Sequence, residues 1–125
     1  MTRRFFGLFP KPTPMREMSR VYDLKSRLDW GEPALTIVDI RDRTLFNESH
    51  VMGAISIPAY ELVSRIQNVL EYDRDIYIYA DTDEEANEAA TQLRAVGYEE
   101  VSVLRGGVAA WKAAGFQVEA TVLAS

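Results

Sequence analysis

Ile76-Tyr77-Ile78-Tyr79-Ala80-Asp81-Thr82-Asp83-Glu84-Glu85-Ala86, running on to Gly97, is the stretch that decides the fold. Its opening, Ile76 to Ala80, is a short run of β-branched and aromatic residues, the pattern of a parallel strand buried on both faces. Farther on, Ala86, Ala89, Ala90, Leu93 and Val96 recur at spacings of three and four. That period predicts an amphipathic helix over 84–96, with Gly97 suited to the left-handed residue that closes it. A strand leading through a short acidic turn into a helix is the building unit of an open α/β sheet.

The same alternation extends in both directions. Leu35 to Ile40 predicts an earlier strand, Ala54 to Ile57 a brief one, and Val101 to Leu104 the last. Residues 60–71 place Leu62, Val63, Ile66, Val69 and Leu70 on one broad stripe, and 107–114 predict a short helix around Val108 and Trp111, closed by Gly115. Upstream, Ser19 reads as the cap of a helix carrying Tyr22, Leu24 and Leu28 and ending near Gly31. Pro10, Pro12 and Pro14 make residues 1–16 an extended leader. The expected organisation is that N-terminal extension, one α/β domain over 17–118 with right-handed crossovers, and a tail over 119–125.

Composition removes whole classes of function. The 125 residues contain no cysteine and one histidine, His50, so disulfides, thiol redox chemistry and cysteine- or histidine-based metal centres are excluded. No apolar run is long enough to span a bilayer, and a cytoplasmic location is expected. The net charge of -5 is unevenly spread. Residues 1–30 carry seven Lys/Arg against three Asp/Glu, and the remainder seven against sixteen. An acidic body argues against nucleic-acid binding, which needs clustered positive charge. The basic start, with Arg3, Arg4, Phe5, Phe6 and Phe9, leaves contact with an anionic membrane surface as an alternative.

In a parallel sheet, sites form beyond the carboxyl ends of the strands. The turn after Ile76–Ala80 is therefore the candidate: Ala80, Asp81, Thr82, Asp83, Glu84 and Glu85. A helix N-terminus attracts anions in a neutral or basic loop. Here Asp81, Asp83, Glu84 and Glu85 repel an anion, and are expected to cap the helix themselves. A solvated capping turn, a recognition surface for a basic partner and a weak cation site all fit. The alternate acids Asp81, Asp83 and Glu85 resemble the start of a calcium loop, yet Ala86 and Gln92 stand where that loop needs Gly and Glu. An aspartyl nucleophile at Asp81 would need nearby cationic stabilisation, and only Arg105 is a candidate to supply it.

Taken together, the chain resembles the rhodanese-like (sulfurtransferase) superfamily over roughly residues 17–118. The resemblance is carried by Val38-Asp39-Ile40-Arg41, Phe46, then His50-Val51-Met52-Gly53-Ala54-Ile55-Ser56-Ile57-Pro58, and by Arg105-Gly106-Gly107, Trp111 and Gly115. It implies a three-layer α/β fold with a central, mostly parallel sheet of about five strands and helices on both faces. It also implies structural roles for Asp39, Arg41 and His50, pinning the loops around the first strand. In active relatives the strand ends Tyr-Cys, and the cysteine carries sulfur as a persulfide. Tyr79 matches; Ala80 takes the cysteine position, Asp83 falls near the loop glycine and Glu85 near a loop arginine.

The expectation is a catalytically inactive member, without cofactor or metal, that binds a protein partner or regulates through the degenerate loop face. The alternatives are a sulfurtransferase that borrows a thiol, an unrecognised carboxylate-dependent activity, and a membrane-edge adaptor using the basic aromatic arm.

Overall fold

The computed structural model describes residues 15–31 and 34–121. Five strands form one sheet: β1 (Met18–Ser19), β2 (Leu35–Asp39), β4 (Ile55–Ser56), β5 (Asp75–Tyr79) and β6 (Val101–Leu104). Their spatial order is β1-β6-β5-β2-β4, and every pairing is parallel. Successive side chains of a strand point to opposite faces, so each strand feeds two cores. Val38, Ile76 and Ile78 face one way, where α3 (Leu62–Val69) and α4 (Asp83–Ala95) cover them with Leu62, Ile66, Ala89, Ala90 and Leu93. Ile37, Tyr77 and Tyr79 face the other way, under α1 (Val21–Asp29) and α5 (Gly107–Ala113), with Leu24 and the fully buried Trp111. This is the expected sheet with helices on both faces.

Three local expectations need correcting. Ser19 does not cap α1: it sits in β1, paired with Leu104, and its hydroxyl bonds that of buried Ser102. Arg20 takes the cap position, its N–H donating to the Asp23 carboxylate at 2.9 Å. The helix over 60–71 begins as a 3-10 turn, Ala59–Glu61, before α3, because Pro58 fixes the chain direction there. The paired structure also runs past residue 118. β7 (Val118–Glu119) lies antiparallel to β3 (His50–Val51), and Thr121 N–H donates to the Asn47 carbonyl at 2.9 Å. The expected leader with Phe5, Phe6 and Phe9 lies outside the described residues.

Candidate functional site at the carboxyl end of the sheet

Three loops leave the carboxyl ends of β2, β5 and β6 side by side. The first is sealed. Asp39 is fully buried, and the guanidinium of Arg41 grips it from Nε at 3.0 Å and from Nη2 at 2.7 Å. The same Nη2 donates to the Ser49 carbonyl at 2.6 Å, tying the far end of α2 (Arg43–Glu48) to the strand. Burial alone would lower the Arg41 pKa. The Asp39 hydrogen bond and the charges of Asp39, Tyr79 and Asp81 outweigh it and hold the guanidinium above its ordinary value. His50 stacks flat on Phe46 at 3.7 Å, with Nδ1 2.7 Å from the Phe46 carbonyl and Nε2 3.6 Å from Glu119. Gly53 N–H donates to the other side of this corner, at Glu119 Oε1, with the left-handed φ of 85° that a glycine tolerates. Pro58 closes the segment, buried.

The third loop is a tight seat for the second. Gly106 and Gly107 both have positive φ, 77° and 53°. A Cβ on Gly106 would lie 2.5 Å from the Ala110 Cβ, and one on Gly107 would lie 3.2 Å from both the Ala80 carbonyl oxygen and the Tyr79 ring. Gly107 therefore lets the start of α5 pack directly against the end of β5, and Gly106 lets the chain turn into that helix without striking Ala110. Trp111 anchors that helix, its indole N–H donating to the Gln117 carbonyl at 2.6 Å.

The middle loop carries the candidate residues. Tyr79 points down into the α1–α5 core, where its hydroxyl accepts the Val51 N–H at 3.0 Å. Burial, followed by the Asp39 charge, pushes its phenol above the ordinary range, so it stays protonated. Ala80 follows on the opposite side, packed against the α3–α4 core. Only Ala80, Asp81 and Thr82 form the loop itself, since α4 starts at Asp83. The sequence expectation that the carboxylates cap α4 is corrected. Thr82 is the cap, its Oγ1 accepting the Glu85 N–H at 3.2 Å and donating to Glu85 Oε1 at 3.0 Å. The Thr82-x-x-Glu85 spacing is the sequence signal for this arrangement. Asp83 turns toward the third loop, where its Oδ1 accepts the Gly106 N–H at 2.9 Å. The acids consequently do not converge: Asp83 and Glu85 are engaged in different directions. Among the described residues, no three His, Asp or Glu side chains are arranged to hold a metal ion.

The loop divides the strand-end face into two grooves. One, of about 660 Å³, runs between α3 and α4 over an apolar floor of Ile40, Val63, Ala80 and Ala89. Asp81, Glu85 and Glu88 line it, together with Tyr60, whose side chain is 85% exposed. Arg41 also lines it, but is committed to Asp39 and Ser49. The other groove, of about 450 Å³, lies on the α1–α5 side and is rimmed by Arg20 and Arg105, with Tyr22, Asp83 and Ala110. Arg105 lines the other groove from Asp81; the cation that shares Asp81's groove and feels its charge is Arg41, already held by Asp39 and the Ser49 carbonyl. Tyr60 and Glu88 are not singled out by the sequence. Glu88 follows Glu85 by three residues on α4, the one signal that places it on the same helix face.

The chain matches the rhodanese-like domain family over residues 21–114. It belongs to that family. The Alr3790 protein of Anabaena sp. is 50% identical, with a TM-score of 0.81 covering 83% of this chain and 81% of that one. Thiosulfate sulfurtransferase from Pseudomonas aeruginosa is 28% identical, with a TM-score of 0.77 covering 86% of this chain and 20% of that one. Among curated proteins, YqhL of Bacillus subtilis is 32% identical over 75 residues, 60% of this chain and 59% of the relative. The chain thus spans about three fifths of that relative and about a fifth of the sulfurtransferase. A rhodanese-like domain without any cysteine lacks the nucleophile through which the sulfurtransferases of the family act. This one is a non-catalytic member in that sense. Among the described residues, no helix is long and apolar enough to cross a membrane.

Proposed function

We propose that this domain, in a cytoplasmic setting, binds a protein partner across the face where active relatives carry out sulfur transfer. The observation that carries the reading is the groove between α3 and α4. Its floor is the Ala80 methyl and apolar neighbours, and its walls carry Asp81, Glu85 and Glu88. Such a surface opposes thiosulfate or a polysulfide by like charge, and favours a Lys or Arg side chain. The stem of that side chain would lie on the apolar floor and its head among the carboxylates, with the exposed Tyr60 ring offering a cation–π contact. Asp39–Arg41 and the Gly106–Gly107 seat hold the groove's shape from beneath, which is the role this reading gives them.

The test is affinity capture with the native chain beside an Asp81→Asn/Glu85→Gln/Glu88→Gln variant. Asp83 is left intact because it holds Gly106. Partners retained by the native chain and released by the variant support the proposal. A partner set unchanged by the three substitutions contradicts it.

A further inference from the structure

We propose that the groove between α1 and α5 docks an acidic segment of a protein partner, one that presents an Asp or Glu side chain beside a large apolar one. It is a second surface, opposite in sign to the groove between α3 and α4, and does not depend on that groove being occupied. Its cations are placed by the sheet. Ser19 and Leu104 pair in register as the last residues of β1 and β6, and the Arg105 N–H donates to the Ser19 carbonyl at 2.8 Å. The residues that follow them, Arg20 and Arg105, therefore leave neighbouring strands about 4.8 Å apart and rim one groove of about 450 Å³.

Both arginines are exposed and little committed. Among the described residues nothing pairs with the guanidinium of Arg105. Arg20 reaches Asp23 only from Nε at 3.9 Å, with 69% of its side chain exposed, and the same Asp23 oxygen already accepts the Arg20 backbone N–H at 2.9 Å. Two like charges set side by side repel until an anion lies between them. The wall beside them is apolar and held in place. Tyr22, 59% exposed, stands edge-on to Phe116 at 5.5 Å, and Phe116 is in turn edge-on to the buried Trp111 at 5.0 Å. A ring fixed in this way offers stacking area at little cost in side-chain entropy, and with Ala110 it receives an apolar side chain.

Asp83 sets the charge that the groove accepts. Its carboxylate lines the same groove, with Oδ1 on the Gly106 N–H at 2.9 Å. Against the two arginines it leaves a single positive charge, which matches the single negative charge of a carboxylate. A phosphoryl group carries about 1.5–2 negative charges, and Asp83 opposes the excess. A guanidinium also presents its N–H donors in a planar fork that fits a carboxylate bidentately. The basic side chains that suit the α3–α4 groove are turned away here by like charge, so the two grooves sort segments by sign.

The test is an amide chemical-shift titration of the full chain, at low salt, with short peptides blocked at both ends. The probe alternates Glu and Leu; two controls carry Gln or phosphoserine in place of Glu. The Glu peptide should saturate with a dissociation constant of about 1 mM, moving the amides of Tyr22, Gly106 and Ala110 while those of Val63 and Glu88 stay still. The Gln peptide should bind about tenfold more weakly, the contribution of a charge-assisted hydrogen bond, and the phosphoserine peptide no more tightly than the Glu one. Arg20→Gln/Arg105→Gln should weaken the Glu peptide by about tenfold or more, and added salt should weaken it in the native chain. Equal affinity for the Gln peptide would mean that only the apolar wall binds, and a preference for phosphoserine would make the groove a phosphate site. Either result overturns the proposal. So do shifts confined to Val63 and Glu88, native affinity in the double variant, or no saturation by about 10 mM. The peptide comparisons use the native chain alone, so they decide the matter even where the double variant does not fold.

Discussion

Two loops leave the same end of one sheet and treat charge in opposite ways. After β2, Asp39 and Arg41 turn inward, 0% and 8% exposed, and spend their hydrogen bonds on each other and on the backbone of Ser49. After β5, Asp81, Glu84 and Glu85 turn outward, into solvent and groove. The first loop holds the fold together; the second can change its chemistry without disturbing that hold. The rhodanese-like scaffold is thus held by the first loop, while the second carries an acidic, cysteine-free surface.

The contrast breaks most visibly if the inward loop is cut. Arg41→Ala strands the buried Asp39 carboxylate and should cost about 3–5 kcal/mol, read from urea denaturation. A loss under about 1 kcal/mol would mean that water reaches Asp39 and that the loops differ less than the geometry says. Next comes the seat between the loops. Gly107→Ala forces a Cβ to 3.2 Å from the Ala80 carbonyl oxygen and the Tyr79 ring at a φ of 53°, with an expected loss of about 1–3 kcal/mol. A neutral outcome would show that α5 shifts freely away from β5. Thr82→Ala removes the cap of α4 and should lower stability by about 1 kcal/mol in the same assay. Removing the outward charges should matter least to folding. Asp81→Asn, Glu85→Gln and Glu88→Gln should each stay within about 0.5 kcal/mol of the native chain, while affinity for a Lys- or Arg-bearing peptide falls. Destabilisation by several kcal/mol would make these acids structural and erase the contrast.

How much of this was legible depended on how local each signal was. The stripe Ala86, Ala89, Ala90, Leu93 lies within one helix, and its burial against the sheet follows from period alone. The strand β1 was not legible. It is two residues long, one of them Ser19, and owes its existence to pairing with β6 more than eighty positions away. The same holds for β3 and β7, and so for the fate of residues 118–121. At the site, the acidic character of the loop was plain from sequence, but the direction of each acid was not. Asp83 turns to Gly106 because two loops meet there, a contact with no counterpart in the order of residues. Thr82 as cap was readable from its spacing to Glu85, and the abundance of neighbouring carboxylates masked it.

The central claim is that this site neither carries sulfur nor welcomes a sulfur-bearing anion. It is tested most directly by incubating the native chain and Ala80→Cys with thiosulfate, following thiocyanate formation on adding cyanide, and weighing both proteins intact by mass spectrometry. The native chain should gain no sulfur and show no turnover above a heat-denatured control. Ala80→Cys should remain close to that background, because the surrounding carboxylates raise its thiol pKa and oppose the donor. A covalent sulfur adduct on the native chain during turnover would contradict the account, and efficient turnover by the single variant would show that the acidic setting does not exclude the anion.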